Sequence, residues 1–180
     1  MYNRQDSTWL IEITLRDVRQ LFNNLDPSPF HDKDLDRDAE TYLFEAVREI
    51  GIDEPIKVVI YLPEEAIDGP DALALPAAMH NYFATQGGNV RRDLRHLLRD
   101  GVVSLAIGLA FLLFCLSLRQ VLGRTGGAPG EMLQEGLLII GWVAMWRPLE
   151  IMLYDWWPIR RRQHVFARLA ALPVELRSKR

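Results

Sequence analysis

Residues 101–118 read GVVSLAIGLAFLLFCLSL, with no charge among them and with Arg99 and Arg119 on either side. An α-helix rises 1.5 Å per residue, so about 20 apolar residues match the roughly 30 Å of hydrocarbon in a bilayer. A helix that is apolar all the way round offers water no polar face and has to be covered. A second apolar stretch, residues 132–157, ends in Tyr154, Trp156 and Trp157, rings that suit the headgroup level. Two membrane spans are therefore expected.

The remaining residues fall into a different solvent. Three-quarters of the acidic groups precede residue 98, while the apolar mass lies beyond residue 101. The expected fold class is an α+β membrane protein: a small cytoplasmic β-α-α-β unit over residues 1–75, an amphipathic stem helix over 76–100 continuous with the first transmembrane helix over 101–122, a periplasmic loop over 123–131, the second transmembrane helix over 132–157, and a cytoplasmic tail over 158–180 holding a short amphipathic helix. The formal net charge of -3 excludes the basic footprint of a nucleic-acid binder. Cys115 is the only cysteine, which excludes an intrachain disulfide and a cysteine-built metal cluster. The start of the chain lacks a basic segment followed by an apolar core, so a cleavable signal peptide is not expected.

Orientation follows from the arginines. Arg91, Arg92, Arg95 and Arg99 precede the first span and Arg160, Arg161 and Arg162 follow the second, whereas the connecting loop holds only Arg119 and Arg124. Basic residues stay on the cytoplasmic side, so both termini are expected there.

In the first 75 residues, Trp9, Ile11, Ile13 and Leu15 alternate, as do Ile56, Val58, Ile60 and Leu62, which is the period of strands covered on one side. Between them, Val18, Leu21, Phe22 and Leu25 give a short helical stripe, and Leu35, Ala39, Tyr42, Leu43, Ala46, Val47 and Ile50 a longer one stopped by Gly51. A parallel pair with a helical crossover is the simplest arrangement. Two strands make a marginal sheet, so completion by a third strand near residues 72–75 or, preferably, by association with another chain is expected.

Several residues could carry function. Arg147 and Glu150 share a helix face inside the second span, with Pro148 between them depriving the Ala144 carbonyl of its usual partner. An intramembrane ion pair either anchors a contact or lines a path. Ser104 with Gly108, and Ala106 with Ala110, have the spacing that lets membrane helices approach closely. Asp34, Asp36, Asp38 and Glu45 fall at the first, third, fifth and twelfth positions of a calcium loop, but Ala39 stands where that loop needs glycine. Capping of the following helix is the better reading of these carboxylates. Gly87 and Gly88 interrupt the stem and offer a hinge. Trp156, Trp157, Arg160, Arg161 and Arg162 fit membrane anchoring, and the tail helix, with Ile159, Phe166, Leu169 and Ala170 opposite a basic face, reads as lying on the anionic inner leaflet.

With these segments in view, LFNNLDPSPFHDKDLD, RRDLRHLLRDG and GWVAMWRPLEIMLYDWWPIRRR together resemble a group of uncharacterised bacterial two-span membrane proteins. The resemblance implies a bacterial inner membrane and carries no activity across. No phosphate loop, nucleophile elbow or zinc signature points to an enzyme, and no cofactor is expected. The expected function is an interaction or scaffold protein, working as a homo-oligomer or an accessory subunit of a larger membrane complex in contact with membrane lipid. The alternative is a protomer of an oligomeric ion or small-solute channel or transporter, with Arg147 and Glu150 facing its path.

Overall fold

A computed structural model of the chain describes residues 2–122 and 128–179. It divides into two compact units, one formed by Met1–Val90 with Arg161–Arg180 and the other by Arg91–Arg160.

The first unit is built on a sheet of four strands, β1 (Asn3–Gln5), β2 (Thr8–Thr14), β3 (Ile56–Leu62) and β4 (Val174–Ser178), in the order β1-β2-β3-β4. The two alternating segments form the parallel central pair, with Ile11 opposite Val58 and Ile13 opposite Ile60. The expectation of a two-stranded sheet completed by another chain is corrected: this chain supplies both outer strands. β1 folds back antiparallel onto β2 through Asp6 and Ser7, both in the left-handed region at φ 46° and 68°. A two-residue turn of that hand matches the twist of the strands it joins. β4 arrives from the far end of the sequence and pairs parallel with β3, Val59 opposite Glu175 and Tyr61 opposite Arg177.

The third strand expected near residues 72–75 is helical instead. Helix α3 (Pro70–Leu122) starts there after α1 (Arg37–Ile50) and the short α2 (Glu64–Ile67). Pro70 needs no intrahelical N–H at the first position, and Ala72 and Leu75 are fully buried. The stripe at Val18, Leu21 and Phe22 is buried as its period requires, but only one 3₁₀ turn forms, Val18–Leu21, with Asp17 capping it by accepting from the Arg19 amide at 2.9 Å. Leu25, counted into that stripe, is 91% exposed.

The core lies on one sheet face, between Ile11, Val58, Ile60 and Leu62, Leu43 and Val47 of α1, and Leu75, Met79 and Phe83 of α3. Helix α6 (Trp156–Leu169) closes it. Phe166 is 1% exposed, with its ring centroid 5.3 Å from that of Phe44 and 6.3 Å from that of Phe83. The reading of the tail as an interfacial helix is corrected accordingly: Val165, Phe166 and Leu169 are packed inside this unit, and the segment continues through buried Leu172 into β4. His80 of α3 donates from Nε2 to the Leu172 carbonyl at 2.7 Å, tying down the turn before the last strand.

In the second unit, the later part of α3 is followed by α4 (Ala128–Ala144), α5 (Trp146–Glu150), a π-helical turn (Ile151–Asp155) and the start of α6. Residues 123–127 of the expected loop lie outside the described residues; 128–131, also assigned to that loop, are helical. The second apolar segment is thus not one uniform helix. Pro148 has no N–H for the Ala144 carbonyl, α4 ends at Ala144, and the Met145 amide donates instead to Trp142 at 3.0 Å. Helical hydrogen bonding resumes in α5, where the Leu149 amide donates to Met145 at 3.3 Å, and then widens at Ile151–Asp155, a local adjustment near a broken ladder.

Candidate functional site

Two stretches, Pro70–Leu122 and Glu131–Leu169, contain segments long and apolar enough to cross a membrane, and only 17% of each apolar window is buried within the protein. The core helix of a soluble protein would be mostly covered. Here Val102, Ile107, Phe114, Ile139, Trp142, Val143 and Leu153 are all exposed, so the outward surface of this unit is apolar, unlike that of an ordinary globular unit.

What this unit buries is small. Gly101, Gly108 and Cys115 recur at seven-residue intervals on α3, and all three are buried. Opposite them lie Gly141, Pro148 and Ile151, buried as well. A β-carbon on Gly101 would come within 2.7 Å of Ile151 Cγ2, and one on Gly108 within 3.0 Å of the Ala144 carbonyl oxygen and 3.5 Å of Pro148 Cγ. One on Gly141 would meet Leu112 Cδ1 at 2.8 Å and Cys115 Cβ at 3.4 Å. The two helical segments therefore run antiparallel with backbones in close approach, the packing mode of helices without a hydrophobic force between them. Gly108 belongs to this seam, while Ser104 is half-buried beside it. Sequence reading missed Gly101 and Gly141; the signal was the seven-residue repeat, which a search at four-residue spacing skips.

The Arg147 and Glu150 side chains meet as expected, Nη1 to Oε2 at 3.0 Å, and a third group joins them. Asp155 Oδ2 lies 3.3 Å from the same Nη1 as an ion pair. The guanidinium reaches along the helix toward its C-terminal end. The group sits on an outward face, with side-chain exposures of 62, 43 and 31% for Arg147, Glu150 and Asp155. Each charge touches an opposite one, leaving a single formal negative charge over the three.

At the end of this segment Trp156 is half-buried and donates from Nε1 to the Met152 carbonyl at 2.9 Å, while Trp157 is 67% exposed. The Arg160 guanidinium carbon lies 5.7 Å from the Trp156 ring centroid, and Arg161 is exposed. In the first unit the Arg162 guanidinium lies over Phe166 at 5.4 Å.

The acidic stretch is structural in its geometry. Asp36 caps α1, accepting the Asp38 amide at 2.9 Å. The Asp34 amide donates to Asp26 at 2.7 Å, a bond that leads the lowering of the Asp26 pKa below the usual carboxylate value. Glu45 is turned to Arg48 at 2.7 Å. Among the described residues, no three His, Cys, Asp or Glu side chains come together at metal-holding distance. Gly87 and Gly88 lie within α3; a β-carbon on Gly87 would rest at 3.7 Å from Phe166 Cβ and one on Gly88 would meet nothing within 4 Å.

The open face of the sheet carries a second charged network that no local pattern revealed. Glu175 accepts from Lys57 Nζ at 2.8 Å and from Arg177 Nε at 2.7 Å, and Arg177 also donates to Gln5 at 3.2 Å. Those bonds, the Arg177 one first, lower the Glu175 pKa to about 2. Glu12 accepts from Tyr61 at 2.8 Å and from Asn3. Three surface hollows of about 230, 210 and 130 Å³, beside Arg19, Asn81 and Lys57 respectively, are each smaller than the roughly 300–1,000 Å³ of typical small-molecule sites.

No family model, curated protein or solved structure matches this chain.

Proposed function

We propose that this protein is an interaction or scaffold subunit of the bacterial inner membrane, held there by a two-span helical hairpin and acting as an oligomer or as an accessory to a larger membrane complex. The observation that carries the reading is the unit Arg91–Arg160, apolar on its outward surface and packed on a seam of small residues inside. Lipid is the solvent such a surface requires.

The pairing of β4 with β3 supports placing both termini on one side, because strands that precede and follow the two spans share one sheet. The arginines at 91–99 and 160–162 support that side being the cytoplasm. The Arg147, Glu150 and Asp155 group supports anchoring over conduction, since one guanidinium holds both carboxylates within 3.3 Å and the group sits on the outward face, away from the seam between the two segments.

The test is the mass and composition of the complex after gentle solubilisation, with every component identified by mass spectrometry. A defined ring of copies or a stoichiometric foreign partner fits the reading. A lone monomer whose liposomes conduct ions, with conductance lost in Glu150→Gln, would replace it with the channel reading.

A further inference from the structure

The burial of the tail helix inside the first unit removes the surface first expected to meet lipid headgroups, and a different one takes its place. We infer that the arginine band at the end of the hairpin, Arg91, Arg92, Arg95 and Arg99 with Arg160, binds the phosphates of anionic glycerophospholipids. This rests on the membrane reading above and names the lipid class that the hairpin selects.

The four arginines of α3 are all exposed, and Arg160 is exposed on the returning helix. Gly101 packs on Ile151, which sets the level of the two segments. Counted from that contact at 1.5 Å per residue, Arg99 stands about 3 Å, Arg95 about 9 Å, and Arg91 and Arg160 about 14 Å beyond it. On α3 the charge-free run starts at that level and the arginines lie beyond it, while on the returning segment exposed Met152, Leu153, Tyr154 and Trp157 precede Arg160, so the band spans the headgroup layer, which adds some 5–8 Å to each side of the hydrocarbon, and its outer edge.

Charge gives the selectivity. Five arginines face two exposed carboxylates in the band, Asp93 and Asp100, while Asp155 is held by Arg147. Arginine matches a phosphate with two parallel hydrogen bonds, and Arg160 is pre-oriented by its position over the Trp156 ring. Zwitterionic headgroups bring their own cation into competition, so the excess positive charge prefers lipids of net negative charge.

The full-length protein is reconstituted into nanodiscs of phosphatidylcholine with and without phosphatidylglycerol, and the lipids that co-purify after delipidating washes are counted by native mass spectrometry. Phosphatidylglycerol is expected to be enriched over its bulk fraction, with the enrichment falling about fivefold in each of Arg95→Gln and Arg99→Gln. Arg95→Lys is expected to keep part of it, and Arg119→Gln, at the other end of the hairpin, all of it. Equal retention of both lipids, or loss in Arg119→Gln as large as in Arg95→Gln, overturns the inference while leaving membrane insertion intact. Failure to enter nanodiscs of either composition instead sinks the membrane reading, and the inference with it.

Discussion

The carbonyl oxygen of Ala144 lies 3.0 Å from the point a β-carbon on Gly108 would occupy, so the break that Pro148 makes in one helix is filled by the backbone of the other. A glycine here is a packing requirement set by a proline forty residues away. Gly108→Ala drives a methyl group against backbone, which cannot swing aside, and is expected to destabilise the hairpin by about 1–3 kcal/mol. Gly136→Ala, with nothing within 4 Å of its β-carbon, is the control. Thermal unfolding in detergent micelles separates the two, and equal melting points would remove the seam from the account.

Arg147 serves two carboxylates, so its loss differs from theirs. Arg147→Ala leaves Glu150 and Asp155 as uncompensated negative charges on an outward apolar face. A charge at a helix centre costs about 2.5–3.5 kcal/mol on insertion scales, less near the interface, and reduced hairpin stability of that order is expected. Adding Glu150→Gln and Asp155→Asn to Arg147→Ala is expected to restore most of it. Folded yield in nanodiscs measures both, and a triple variant as poor as the single one would show that shape, rather than charge, matters there.

Phe166 joins three helices across the core of the first unit, between Phe44 and Phe83. Truncating a fully buried aromatic costs about 3–5 kcal/mol, a large share of the stability of a small unit. Phe166→Ala is therefore expected to unfold this unit or bring it close to unfolding, with protease sensitivity spreading to α1 and β3. An interfacial tail helix would instead leave those elements protected.

Glu175 supplies a pH dependence with a definite sign. Its folded pKa of about 2 is below the ordinary 4.5, so its contribution is present above the ordinary value and is lost as pH falls from about 4.5 toward 2. The group is over one-third exposed, which keeps the effect small. Melting temperature followed from pH 6 to 2.5 is expected to fall less steeply in Glu175→Gln than in the parent. Parallel curves would mean that the clamp on Lys57 and Arg177 contributes nothing to stability.

Gly88 offers a gain. A β-carbon there meets nothing within 4 Å inside a continuous helix, so Gly88→Ala is expected to stabilise the protein by up to about 1 kcal/mol. If the position also works as a hinge, the stabilised variant would bind its partner or assemble differently; an unchanged complex would leave it as ordinary helix.

The parts of the fold legible in the sequence are those whose pattern is local. β2 and β3 alternate over seven residues each, α1 repeats at helical spacing between Asp36 and Gly51, and 101–118 is charge-free. β4 was not legible, because five residues reading VELRS gain their meaning only beside Lys57 and Tyr61, more than a hundred positions earlier. β1 was hidden for a related reason: Asp6 and Ser7 adopt left-handed geometry without the glycine that normally announces such a turn. In the charged group, Arg147 and Glu150 were visible at a spacing of one helical turn, but Asp155, two turns beyond Arg147, meets it across the widened turn at Ile151–Asp155.

The origin of β4 also sets an order of events. The ribosome delivers β3 long before its neighbour, and the edge that β4 will cover stays open throughout synthesis of the whole 91–160 segment. Until β4 returns, the outer side of β3 is a row of unpaired strand groups, a template that another chain could occupy. Closure of the sheet is therefore the step that ends this exposure, and it depends on the last strand rather than on the strands made first.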